Sequence, residues 1–305
     1  MFGYFGPAGT FTHQALLAVT DAEAVPFATV GQALDAVRSG EIEAAMVPIE
    51  NSVEGGVSAT LDILAAGRRL MITREVLIPV QFNLYARPGT TFEQVRRVLT
   101  HPHSAAQTRG WMDANLPGVV VTEGGSNAAS AQEVADPESR YDAAICGQIA
   151  GELYGLVPVA TEIADNASAV TRFVLVSRPT PPPPPTGADK TTLVAFMHAD
   201  HPGALLEILE QFSGRGVNLC RIESRPTKTG LGNYCFSIDA EGHLRDPRLA
   251  EAMHGLHRIC EDVIFLGSYA RADGVRPEVA RGFTDHDFAA AKHWYAGLVN
   301  PDDEL

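Results

Sequence analysis

The sequence predicts an α/β fold in two parts: a larger region of alternating strands and helices, then a small βαββαβ domain of the ferredoxin-like kind. Three observations predict it. Short apolar runs alternate with amphipathic helical stretches as far as Ser177. The stretch "SRPTPPPPPTGADK", Ser177–Lys190, then interrupts the pattern, because consecutive prolines neither join a sheet nor continue a helix and favour a stiff spacer. Beyond it the order of strands and helices changes.

In the first part, "MFGYFG" precedes "THQALLAV", and "AVPFA" precedes "VGQALDAVRSG", where Gly40 is placed as a helix stop. "AAMVPI" leads to "SATLDILAAG", "RRVLTH" to "SAAQTRGWMDANL", "VVVTEG" to "SNAASAQEVA" and "AAIC" to "GQIAGELYG". Such alternation implies parallel strands with helices on both faces. Two longer extended stretches break the rhythm, "EVLIPVQFNLYA" near 75–86 and "GLVPVATEIAD" near 155–165. Each carries a proline that sheet interiors avoid. They are either edge strands or two crossings of the chain between lobes, a hinged pair with a cleft between them.

After the linker, "TTLVAFM" is a strand and "GALLEILEQFSGRG" a helix closed by glycine. "NLCRIESRP" and "GNYCFSIDAEG" are two strands joined by a glycine-containing turn. "DPRLAEAMHGLHRIC" is a helix opened by Asp-Pro, and "DVIFLGSYAR" a last strand. This order makes a small antiparallel sheet with helices on one face. The tail from Ala272 is polar and then helical in pattern over "DHDFAAAKHWYAGLV".

The chain's 305 residues are enough for two or three domains with ample core, and its composition is that of an ordinary globular protein. A net charge of −14 argues against general binding to nucleic acid or to an anionic membrane surface, so an anionic ligand would need a locally positive site. Cys146, Cys220, Cys235 and Cys260 show neither CxxC spacing nor a cysteine–histidine cluster, which leaves no disulfide framework or zinc site to read. The N-terminus lacks a basic region and a long apolar run, and no stretch is long enough to cross a bilayer, so the expected location is the cytoplasm.

Chemistry in open α/β sheets gathers beyond the carboxyl ends of strands, and three unusual sequences fall there. In "GPAGTFTHQAL", Gly6 and Gly9 permit close backbone approach, and Thr10 or Thr12 can cap a helix whose N–H groups suit a carboxylate or phosphate. In "VPIENSVEGGV", Pro48 is expected to end the strand. Glu50, Asn51 and Ser52 then point into a cleft before Gly55 and Gly56, three consecutive polar groups being more than capping needs. In "NASAVTRFVLVS", Thr171 and Arg172 open a strand, and an arginine fork beside a cleft suits a carboxylate. "THPHS" sets His101 and His103 at a further strand end without a third metal ligand at useful spacing, so they read as structural or hydrogen-bonding histidines. Ser126 in "GSNAAS" is a candidate cap facing the same cleft. Walker, GxGxxG, HExxH and GxSxG signatures are missing, which removes support for nucleotide, hydride, metalloprotease or acyl-serine chemistry.

"GPAGTFTHQAL", "VPIENSVEGGV" and "TRFVLV", in that order, resemble the prephenate dehydratase family. The later "GALLEILEQF" and "ESRP" resemble the ACT regulatory domain of its members. The resemblance covers about residues 1–275. It departs from the family where His103 stands for a frequent glutamine, Thr108 for a cysteine after Gln107, and Asn127 for a threonine after Ser126.

The resemblance implies a two-lobed, type II periplasmic-binding-protein-like catalytic region over 1–178, with one lobe of about 1–78 and 158–178 and another of about 79–157. A linker over 179–190, an ACT domain over 191–271 and a tail over 272–305 would follow. It implies decarboxylating dehydration of prephenate to phenylpyruvate in phenylalanine biosynthesis, without a cofactor or metal. Thr171, Arg172 and Phe173 are then the catalytic candidates, Thr171 donating to the leaving hydroxyl and Arg172 clamping a carboxylate. Thr10, Phe11, Glu50, Asn51, Ser52 and Ser126 are expected against substrate, Glu50 as an acid or, preferably, a loop anchor. L-Phenylalanine is the expected effector, bound between ACT domains of a dimer or tetramer by His201, Gly203, Ala204 and Leu205 at one turn and by Asn218, Leu219, Glu223 and Ser224 along one strand. An arogenate dehydratase and a non-catalytic sensor are the alternatives. Neither nucleic acid nor membrane is an expected partner.

Overall fold

The computed structural model describes residues 1–198, 201–227 and 234–299. The chain divides into two compact units, one of Met1–Thr60 with Val76–Val176 and one of Leu61–Glu75 with Ser177–Leu305.

The first unit opens with β1 (Phe2–Phe5), α1 (Phe11–Leu17), β2 (Ala24–Phe27), α2 (Val30–Ser39) and β3 (Ala44–Asn51). β2 and β3 pair in parallel on either side of β1. Ala44, Ala45, Met46, Val47 and Ile49 of β3 are all buried, the near-continuous apolar run expected of a strand covered on both faces. Gly40 ends α2 in the left-handed region with φ 86°, as its position in the sequence predicts.

Pro48 does not end β3. The strand runs on through Glu50 and Asn51, which pair antiparallel with β4 (Gly55–Gly56) in a tight hairpin. Gly55 takes φ 83°, a value glycine adopts without strain and other residues rarely do. α3 (Ser58–Leu64) and β5 (Met71–Pro79) follow.

The second lobe comprises β6 (Asn83–Ala86), β7 (Arg97–Thr100), α4 (Pro102–Gln107), α5 (Arg109–Asn115), β8 (Val120–Glu123), α6 (Asn127–Ala135), β9 (Ala143–Cys146), α7 (Gln148–Leu153) and β10 (Val157–Ala160). β11 (Val170–Ser177) then returns to the first sheet, giving the orders β2-β1-β3-β11-β5 and β10-β6-β9-β7-β8. The parallel expectation holds for the strands that alternate with helices, whereas β6 runs antiparallel to both β9 and β10. That reversal marks where the chain changes lobe.

Both readings of the proline-bearing stretches hold together: β5 and β10 are edge strands, and residues beside them cross between sheets. The two crossings lie side by side, Val80 N donating to Ala169 O (2.8 Å) and Ile163 N to Phe82 O (2.9 Å). The return crossing also explains why "SAAQTRGWMDANL" is two short helices rather than one. Asp165 accepts from Gly110 N and Trp111 N, both at 2.8 Å, capping a new helix start just after Thr108.

In the second unit, β12 (Asp189–Phe196), α8 (Ala204–Ser213), β13 (Leu219–Pro226), β14 (Tyr234–Glu241), α9 (Pro247–Ile259) and β15 (Asp262–Ala270) form an antiparallel sheet of order β13-β14-β12-β15. This is the βαββαβ arrangement read from the sequence. Leu193, Ala195, Phe236 and Ile238 on one sheet face pack with Ile208 and Phe212 of α8 and Leu249 and Leu256 of α9. The predicted glycine turn between β13 and β14, with Gly232 and Asn233, lies outside the described residues. The tail helix, α10, spans Asp285–Val299.

Two boundaries differ from the sequence reading. Asp189 and Lys190, assigned to the linker, are already paired in β12. Residues Leu61–Glu75, assigned to the first lobe, group with the second unit. There Lys190 Nζ lies 2.9 Å from a Glu75 carboxylate oxygen, and Arg225 pairs with Asp62 at 3.0 Å. Gly267, at φ 136°, has no room for a side chain, since a Cβ would sit 2.1 Å from Ile72 O. Lone sequence periodicity carries no sign of this, because the contacts join residues more than a hundred positions apart. Among the described residues no helix is long and apolar enough to cross a membrane.

Candidate active site

The carboxyl ends of the parallel strands of both lobes converge on one cavity of about 490 Å³. Gly6 follows β1, Ala28 follows β2, His101 follows β7, Gly125 follows β8 and Gly147 follows β9, and all five line it. Ligands in open α/β sheets gather at such ends.

On the first lobe, Gly6 (φ 103°) and Gly9 (φ 86°) turn the chain tightly into α1. Thr10 caps the helix by accepting from His13 N (3.3 Å), and its hydroxyl donates to Pro7 O (3.1 Å). Thr10, Phe11 and Thr12 all line the cavity. His13 supports the turn from behind: Gly9 N donates to its Nδ1 (3.1 Å), and its ring stacks on Tyr4 at 4.6 Å. Burial lowers the His13 pKa, which keeps that nitrogen an acceptor.

The β3–β4 hairpin is tied to the strand that carries Thr171. Ser52 Oγ accepts from Val170 N, and Ser52 N donates to Val170 O, each at 2.9 Å. Asn51 Oδ1 accepts from Val53 N (2.8 Å) and Glu54 N (3.2 Å), which fixes the orientation of the amide. Its Nδ2 therefore points outward and donates to Thr171 Oγ1 at 2.8 Å. Because Thr171 accepts here, its own hydroxyl proton is available to a ligand.

Strand alternation decides the fate of "TRF". Thr171 and Phe173 share a face and line the cavity, whereas Arg172 between them is 5% exposed and is not on the cavity wall. Arg172 Nη1 lies 3.4 Å from Glu50 Oε2, an ion pair behind the site. Neither Arg172 nor Glu50, expected as a carboxylate clamp and as an acid or loop anchor, lines the cavity. Asn51 and Ser52 are likewise not among the residues that line it.

The second lobe supplies His101, Gly125, Ser126, Asn127, Ala129 and Gly147. Ser126 is the N-cap of α6, accepting from Ala129 N at 3.0 Å, so the positive end of that helix faces the cavity. Asn127 Oδ1 accepts from His101 N (3.1 Å) and Thr100 Oγ1 (3.2 Å). His101 Nδ1 accepts from His103 N at 3.3 Å. Burial, and secondarily the neighbouring His103, lower the His101 pKa. A neutral ring whose Nδ1 accepts carries its proton on Nε2, so His101 brings a donor to the site. His101, Asn127, Ala28 and Gly147 were not among the expected site residues; the strand-end rule applied to every parallel strand would have found three of them.

In the second unit, Gly203 (φ 96°) caps α8, and a Cβ there would meet open space. Leu205, Asn218 and Ser224 are exposed, while Ala204 is buried and Leu219 is partly buried against the domain core. His201 Nε2 lies 3.1 Å from Glu207 Oε1. Glu223 lies between Arg221 (3.8 Å) and Arg225 (3.6 Å), not free for an amino group.

A two-lobed α/β ligand cleft lined by neutral donors, in a chain that also carries a βαββαβ domain, defines a small-molecule-binding enzyme or sensor. The chain matches prephenate dehydratase over residues 2–181 and the ACT domain over 191–258. It belongs to the prephenate dehydratase family. A prephenate dehydratase of Amycolatopsis methanolica is 48% identical, covering 97% of this chain and 96% of that protein. The crystal structure of an Arthrobacter aurescens prephenate dehydratase in complex with L-Phe is 52% identical with a TM-score of 0.93, covering 98% of this chain and 99% of that one. A structure described as GqqA, a novel type of quorum quenching acylase, is 31% identical with a TM-score of 0.78, covering 88% and 97%.

Proposed function

We propose that this protein is a prephenate dehydratase: it converts prephenate to phenylpyruvate, water and carbon dioxide, and phenylalanine inhibits it through the ACT domain. The observation that carries the catalytic reading is the Asn51–Thr171 hydrogen bond of 2.8 Å, which presents the Thr171 hydroxyl proton to a cavity between two lobes.

In the reaction the bond from the ring to its carboxylate breaks and carbon dioxide leaves. The electron pair moves through the ring, and the C4–O bond breaks as the ring becomes aromatic. Thr171 donates a hydrogen bond to the departing oxygen, which leaves as water once protonated. The reaction is redox-neutral and aromatisation drives it, so positioning and electrostatics carry the rate. The substrate's two carboxylates are held by neutral donors: the leading N–H groups of α6, the Nε2–H of His101 and the hydroxyls on the cavity wall. Phe11 and Phe173 flank the ring, and Arg172 with Glu50 keeps the Thr171 strand in place. The lobes close about the paired crossings, excluding water from the charge-separating step.

Acyl transfer is less well supported. It needs a hydroxyl activated by a base, and the bonds of Thr10, Ser126 and Thr171 run to Pro7 O, backbone N–H groups and the Asn51 amide rather than to a histidine ring.

For regulation, Leu205 in the first turn of α8, Asn218 just before the edge strand β13 and Ser224 within it are all exposed. We place phenylalanine there, completed by a second copy of the ACT domain, with the protein self-associating through it. Purified protein incubated with prephenate should release phenylpyruvate and carbon dioxide in equal amounts, and should prefer prephenate over arogenate in kcat/KM. Absence of phenylpyruvate would refute the catalytic reading.

A further inference from the structure

Away from the paired crossings, the described residues bring the two lobes together at two patches. One joins the glycine turn before α1 to α7: a Cβ on Gly9 would sit 3.1 Å from Ala150 Cα, one on Gly147 would sit 3.0 Å from the Phe11 ring, and the Tyr154 hydroxyl donates to Ala8 O at 3.4 Å. The other is carried by charged and amide side chains. Glu54, next to the β4 glycines, reaches α4 of the opposite lobe with both carboxylate oxygens. Its Oε2 lies 2.9 Å from His103 Nδ1, and its Oε1 accepts from Gln107 Nε2 at 3.3 Å.

Each end of this bridge is wired to the cavity. Glu54 N donates to Asn51 Oδ1 (3.2 Å), the amide that also donates to Thr171. His103 N donates to Nδ1 of His101, which lines the cavity. The hairpin that orients Thr171 and the helix beside His101 are thus joined through Glu54. We propose that Glu54, with His103 and Gln107, is a closure latch: a positioning device that holds the lobes together over bound prephenate and sets Asn51 and Thr171 when they are shut. It touches neither substrate nor reacting atoms. The proposal rests on the reading that the lobes close on substrate.

The latch side chains are partly exposed, 40% for Glu54 and 63% for His103, so the bridge is a weak, reversible fastening that still permits product release. A double-mutant cycle tests it. Glu54→Ala and His103→Ala should each lower kcat/KM by roughly two- to fivefold, mainly through KM. The double variant should be no worse than Glu54→Ala alone, because that change already removes both bonds of the latch. His103→Gln should restore wild-type KM by supplying an amide donor. Additive losses, unchanged singles, or failure of His103→Gln to rescue would each overturn the latch. Solution scattering of the Thr171→Ala protein with and without prephenate separates the two ideas. Compaction with an additive cycle removes the latch alone, whereas no compaction removes lobe closure as well.

Discussion

Thr171 is held by one neutral hydrogen bond from an amide whose orientation two backbone N–H groups fix. In the proposed mechanism a donor so placed needs no reorganisation when charge develops on the departing oxygen. Thr171→Ala should lower kcat by about a hundredfold or more with the fold intact; near-normal turnover would remove it from the mechanism. Arg172 tests the difference between clamp and support. A lysine there reaches Glu50 as a point charge without the planar fork. If Arg172 supports the Thr171 strand, Arg172→Lys should lower kcat and melting temperature while KM for prephenate changes less than about threefold. A large rise in KM alone would restore the clamp.

At the scale of elements, the hairpin of β3 and β4 and the segment before β5 show how short pieces are fixed by distant partners. Gly267 of β15 accepts the backbone of Ile72 where no side chain fits, and its φ of 136° is open only to glycine. Gly267→Ala therefore combines backbone strain with a steric clash and should cost about 2–4 kcal/mol, read as a lowered midpoint in urea unfolding. An unchanged midpoint would mean that Leu61–Glu75 does not pack on this sheet. The same contacts bear on dissection of the chain. Glu75 is 5% exposed and bonds Lys190 and Ala272 N, so cutting after Pro179 strips a carboxylate and its neighbours of their cover. The truncated chain should melt lower and aggregate more readily than the whole protein, even where it retains turnover; equal melting temperatures would refute this.

Across the whole molecule, regulation requires that phenylalanine bind the ACT domains with different affinity in the open and closed states of the cleft. Linkage then makes the effect reciprocal, so prephenate should weaken phenylalanine binding by the factor that phenylalanine weakens prephenate binding. Among the described residues Asn218 is exposed, and its carbonyl accepts from Glu241 N. Asn218→Ala should abolish phenylalanine inhibition while uninhibited kcat stays within about twofold of wild type. Calorimetry on the intact protein checks the binding itself. No heat of phenylalanine binding would end the regulatory reading and leave the catalytic one standing.

The sequence by itself determined the β–α alternation of the first part and the βαββαβ order of the second, the glycine that stops α2, the candidate capping serine of α6, a choice of Thr10 or Thr12 to cap α1, and the motifs that mark the family. These are local: they depend on periodicity, on glycine's access to positive φ and on side chains that bond within a few residues. It also brought Thr171, Thr10, Phe11 and Ser126 to notice, because each stands just beyond or at the start of a regular element. Only the tertiary structure decided which face of a strand meets the cleft. That choice turned Arg172 inward onto Glu50 and left Thr171 and Phe173 on the wall. It also carried β3 past Pro48, split one helix into α4 and α5 through Asp165, and moved Leu61–Glu75 to the second unit. Except for the β3–β4 hairpin, whose partner is a few residues away, the deciding partner lies tens to nearly two hundred residues away, where a pattern of neighbouring residues holds no information.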